Sequence, residues 1–214
     1  MARRWWLVPI LLLGGWIAVD VTVPRHSSLT NFDGREVGRI ETGMWRSYYE
    51  HRRVALFAEL VRLLRDQYHV PFWQACRGAY DAARAAVVFQ RGHDRAEYEQ
   101  ALPDIIRFYA IIRRNSDIEF RVQEAAQLEL EWWIIHRERA THPPGDLERS
   151  LAALQAAIYG KPASLFAEHA KARADAMLIR DKQAEAGGVS EQDWRRIGDL
   201  LDTSWVSLKA AVAH

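Results

Sequence analysis

From Trp5 to Val19 the chain reads WWLVPILLLGGWIAV, a run of about 15 residues without a charge. A stretch this apolar has to be buried in protein, buried in lipid, or removed after export. At about 1.5 Å per residue it spans about 22 Å, less than a hydrocarbon core of about 30 Å, so crossing a bilayer needs help from its flanks. Trp5, Trp6 and Trp16 suit the interfacial belts, and Val21 and Val23 carry the apolar character past Asp20. Arg3 and Arg4 precede the run and Asp20 follows it, a bias that leaves residues 1–4 in the cytoplasm and the bulk of the chain outside. A cleaved leader would want small residues at alternate positions, and Trp16 with Ala18 or Leu13 with Gly15 are poor pairs. Pro9 and Gly14–Gly15 argue against a buried helix of a water-soluble protein. The expectation is a single-pass inner-membrane anchor or uncleaved signal over 5–23, with a periplasmic or extracellular domain behind it.

The remainder is large enough for one core: the chain has 214 residues, 49% of them hydrophobic. Its 29 basic and 28 acidic residues give a net charge of +1, which offers no reason for a nucleic-acid partner. Arginine supplies nearly all the positive charge, alongside much alanine, a pattern that genomic base composition explains. Cys76 is the only cysteine, which excludes an intrachain disulfide and any multi-cysteine metal centre.

Residues 24–40 carry Pro24, Gly34 and Gly38 among polar residues and read as an aperiodic linker, so the globular domain is expected over 41–214. Every long segment after that has helical rather than alternating periodicity, and the fold class is all-α. Seven segments stand out. They cover about 41–66, 71–90, 94–115 with a kink or split at Pro103, 116–139, 146–160, 162–185 and 190–212. Ser190 with Asp193, Ser116 with Glu119 and Asp94 with Glu97 each have capping-box spacing, and Asp146 stands where it would cap another helix. Short connections make the expected architecture a bundle of about seven helices, mostly antiparallel neighbours. A tetratricopeptide-like hairpin around Gly92, Tyr98, Ala101 and Pro103 finds no second copy, which disfavours a helical-repeat solenoid.

Familiar catalytic signatures are missing: the sequence holds no Gly-rich phosphate loop, nucleophile elbow, His-Glu-x-x-His or Cys-x-x-Cys-His. Nor does it contain the Glu-x-x-His that a carboxylate-bridged di-iron bundle requires on two helices. One constellation has the spacing for chemistry. Ala125, Glu129, Trp132 and His136 share a helical face, so a carboxylate and an imidazole lie among apolar neighbours. Glu41, Tyr48 and Arg52 on the first domain helix are candidate partners. A metal site, if there is one, would use Glu129 and His136; otherwise these groups form a structural polar network. His169 interrupts an apolar stripe of small residues and reads as a satisfied core histidine.

Nine tryptophans also suggest an aromatic docking surface, with Trp132–Trp133 and Phe72–Trp73 the densest pairs. Adjacent helical residues point about 100° apart, so Trp132 and Trp133 are both covered only if their helix has neighbours on a wide arc. The sequence therefore favours a non-catalytic, membrane-anchored binding or scaffolding module with a membrane or periplasmic protein partner. Its rival is a metal- or cofactor-binding helical-bundle enzyme built on the Glu129–His136 cluster, with the cofactor itself unspecified.

Overall fold

The computed structural model describes residues 7–213. Arg3 and Arg4, which set the expected orientation, and Trp5 and Trp6 of the expected interfacial belt lie outside them. The described chain is all-helical: α1 (Leu7–Thr22), α2 (Gly34–Tyr49), α3 (Arg53–Arg62), α4 (Phe72–Arg91), α5 (Arg95–Glu99), α6 (Leu102–Asn115), α7 (Val122–Arg137), α8 (Asp146–Tyr159), α9 (Ala167–Glu185) and α10 (Glu191–Val212). Nine helices, α2–α10, thus stand where seven were expected. Two segments are split: Glu50–Arg52 separates α2 from α3, with His51 at a φ of 56°, and Pro103 sits in the first turn of a new helix, α6, rather than kinking an old one.

Neighbours in space run α2, α3, α4, α6, α7, α8, α9 and α10, with the short α5 beside α4 and α7, and α10 returns against α2, which closes a ring that an open repeat stack lacks. The main core runs through the ring from Leu56, Leu60 and Leu64 to Ile134, Leu151, Phe166 and Leu208. A second, smaller cluster of Ala176, Trp194, Ile197 and Leu201 lies between α9 and α10. Helix α7 is flanked by α5, α6 and α8, and its Trp132 is buried while Trp133 is partly covered, so the Trp132–Trp133 pair serves packing.

The capping signals divide. Ser190 and Asp193 form the full reciprocal box at the start of α10, and Asp94 accepts from the Glu97 amide at the start of α5. Ser116 instead closes a local turn onto Ile118, and α7 begins only at Val122 with no side-chain cap. Asp146 is the first residue of α8, after Gly145 at a φ of 87°, a backbone conformation natural to glycine.

The stretch expected to be a linker is packed. Leu29 and Phe32 are buried, and α2 begins at Gly34, capped by Asp33, rather than near Glu41. The two glycines that suggested flexibility are there for close approach. A Cβ on Gly34 would lie 2.9 Å from Val206 Cα, and one on Gly38 would lie 2.7 Å from Asp202 Cα, both backbone atoms of α10. Gly38→Ala is expected to force α2 and α10 apart and to lower stability by about 1–3 kcal/mol. The readout is a lower urea midpoint at unchanged m.

Helix α1 joins this body at an elbow where three helix ends meet. The Asp20 carboxylate accepts from the amides of Phe72 (3.1 Å) and Trp73 (2.6 Å), supplying from a distance the cap that Pro71 does not give α4. An anion at a helix N-terminus is favourable both as hydrogen-bond acceptor and against the macrodipole. Reciprocally, Arg114 in the last turn of α6 donates to the Thr22 carbonyl at the C-terminal end of α1. Gln74 donates to the Asp20 carbonyl (2.7 Å) and accepts from Asn115 (2.8 Å), whose own amide oxygen accepts from the Arg25 backbone (3.3 Å). Backbone bonds between Ser27 and the Asn115–Asp117 turn complete the joint.

Candidate functional site

Three helices contribute the polar interior. Helix α2 brings Glu41, Trp45, Tyr48 and Tyr49; α7 brings Glu129, Trp132 and His136; and α9 brings His169, Arg173, Arg180 and Asp181. The structure sorts them into separate centres rather than one.

The first is built on Glu41, a buried carboxylate on α2. Arg173 forms a two-pronged ion pair with it, and the indoles of Trp45 (3.2 Å) and Trp205 also donate to it. The Arg173 guanidinium in turn lies 5.9, 5.4 and 5.8 Å from the ring centres of Trp45, Trp132 and Trp205. A cation enclosed by aromatic faces and neutralised by a carboxylate is a stable way to keep charge inside a core. Arg52, expected to neutralise Glu41 or Glu129, is exposed in the α2–α3 turn and pairs with Glu50 at 2.9 Å.

The second centre is Asp181. It accepts from His136 Nε2 (3.0 Å), Arg139 (2.8 Å) and Arg180 (2.8 Å), while Arg180 also lies 3.2 Å from the centre of the Tyr49 ring. Burial pushes the Asp181 pKa up, but the His136 and Arg180 contacts outweigh it and the net position is below the ordinary value. Tyr48 packs edge-on against Tyr49, and burial raises both hydroxyl pKa values. Glu129 belongs to neither centre. It accepts from Tyr109 (2.9 Å) and from the Trp133 indole (3.0 Å), and burial followed by this carboxylate pushes the Tyr109 hydroxyl pKa well up.

Of the residues singled out from the sequence, then, Glu41 and Trp132 meet through Arg173. No hydrogen bond joins Glu129 or His136 to Glu41, Tyr48 or Arg52 among the described residues. Among those residues, too, no group of three or more His, Cys, Asp or Glu stands close enough to hold a metal ion. His169 is buried, with Nδ1 donating to the Ser204 carbonyl (3.0 Å) and Nε2 without a partner. Sequence reading missed Arg173, Arg180 and Asp181. Their signal was present in the spacing of His169, Arg173 and Arg180, which places two arginines beside a stripe of alanines that only a neighbouring acid could make tolerable.

A cleft of about 510 Å³ opens between α4 and α6, away from these centres, and Asp81 and Asp104 form its floor. Both aspartates are buried. Arg107 binds both, at 3.0 Å to Asp81, Arg84 reaches Asp104 at 3.4 Å, and Tyr80 stands exposed at the rim. Charged side chains of both signs line the cleft. No protein-family model, curated protein or solved structure matches this chain.

Proposed function

We propose that this chain is a helical binding or scaffolding module held at a membrane by α1, with the domain on the outer side of a bacterial-type inner membrane and a membrane or periplasmic protein as partner. The observation that carries this reading is the surface of α1. Val8, Ile10, Leu11, Leu12, Leu13, Trp16 and Val19 are all exposed, with Leu11 at 72% and Leu12 at 69%. They occupy every side of the helix, which packs mainly on α4 and meets α6 only at its C-terminal end. A helix that is apolar all round belongs in a core or in lipid, and no core covers this one.

No helix among the described residues is long and apolar enough to cross a membrane. The 16 residues of α1 reach about 24 Å, so a single pass relies on a thinned bilayer, on Val21 and Val23, and on the residues before Leu7. The domain's polar centres read as structural networks, since each charged group in them is already engaged by a neighbour. No observation favours the enzyme built on Glu129 and His136.

Fractionation of cells expressing the full chain tests the reading. It should stay in the membrane pellet through an alkaline carbonate wash, and protease added to spheroplasts should degrade the domain. Recovery in the supernatant before the wash overturns the anchor, and full protection from protease overturns the orientation.

A further inference from the structure

Resting on that membrane reading, the geometry points to a second lipid-contacting element: a collar of Trp16, Phe72 and Trp73, flanked by Arg65, that sinks the N-terminal end of α4 into the interfacial layer and binds anionic phospholipid headgroups.

Trp16 lies 6.2 Å from both Phe72 and Trp73, and those two rings lie 5.1 Å from each other. Trp16 precedes Thr22, the end of α1, by six residues, or about 9 Å of helix. The Phe72 and Trp73 rings therefore reach the apolar part of α1, while their amides sit at its polar end. The elbow holds them there, because Asp20 is bonded to the Phe72 and Trp73 amides themselves. Trp73 lies beside Trp16 and is exposed at 36%.

The chemistry of the patch matches that depth. Tryptophan and phenylalanine rings at the boundary of headgroups and acyl chains anchor membrane proteins, and a short anchor draws such flanks into the interface. Arg65 is exposed, lies over the Phe72 ring at 5.4 Å, and has no carboxylate partner among the described residues, which leaves its guanidinium for a phosphate. Asp20 is the acid that lipid would otherwise expel, and it is buried in the elbow. Continuity with α1 commits this patch to lipid rather than to a protein partner.

The full chain, reconstituted into phosphatidylcholine–phosphatidylglycerol vesicles carrying dibrominated acyl chains, tests the collar. Emission assigned to Trp73, as the difference between wild type and Trp73→Phe, should fall at least about twofold on bromination. Emission assigned in the same way to the core residue Trp194 should not change. Arg65→Glu should weaken the Trp73 quenching, and circular dichroism confirms that each variant is folded. If the protein floats with the vesicles while Trp73 stays unquenched, the collar is wrong and the anchor stands. Failure to float overturns both. Equal quenching in pure phosphatidylcholine, unaffected by Arg65→Glu, overturns the assignment to anionic headgroups.

Discussion

Glu41→Gln lowers the free energy of unfolding by about 3–5 kcal/mol, the range for removing one partner of a buried ion pair. The size follows from what stays behind. Arg173 keeps its charge in a site where its side chain is 13% exposed, enclosed by Trp45, Trp132 and Trp205, and the neutral amide accepts more weakly from the two indoles. Arg173 Nε already lacks a partner, so the site has no spare acceptor to take over. The damage is specific to the unpaired charge and not to a loss of volume. The double variant Glu41→Gln with Arg173→Met should therefore recover much of the loss, since the buried charge is then gone and the amide at position 41 still accepts from the two indoles. Urea unfolding of both single variants and the double variant measures the coupling. Additive losses would show that Glu41 and Arg173 contribute independently and that the cage is ordinary packing.

Acid weakens the fold over a defined window because of His169. Burial, with the nearby Arg173 charge, pushes its pKa down from 6.5 to about 3. With Nδ1 donating to Ser204, the added proton would go to Nε2, which has no acceptor. The unfolded chain binds this proton near pH 6.5 and the folded chain resists it to about pH 3. This group's contribution is therefore fully present above pH 6.5 and is lost as pH falls through the window, by up to about 1.4 kcal/mol per pH unit. Unfolding free energies at pH 7.5, 6 and 5 should show the slope, and His169→Gln should flatten it by about one proton. Asp181 acts lower: its folded pKa lies below 3.8, so its contribution is lost only as pH drops beneath that value. An unchanged slope in His169→Gln would assign the acid sensitivity to other groups.

The all-α class was legible because helical periodicity is a local property of side-chain order, and no stretch alternates as a strand would. The linker expectation fared differently. Gly34 and Gly38 look the same in sequence whether they loosen a chain or let two backbones touch, and only the position of α10 distinguishes these uses. The partners of the polar residues were illegible for a similar reason. Glu41 and Arg173 are far apart in sequence and meet only because α10 closes the ring onto α2 while α9 lies against α10. Helical spacing put Glu129 and His136 on one face, but it could not say that Tyr109 would meet one and Asp181 the other.

Sequence by itself determined the helical class, the apolar character of α1 and the cap of α10, since each depends on the order of residues within one segment. Tertiary structure alone decided that Asp20 caps α4, that Arg173 neutralises Glu41 inside a tryptophan cage, and that two glycines seat α2 on α10. Those outcomes depend on which segments meet, and that choice is made by the burial of apolar surface over the whole ring.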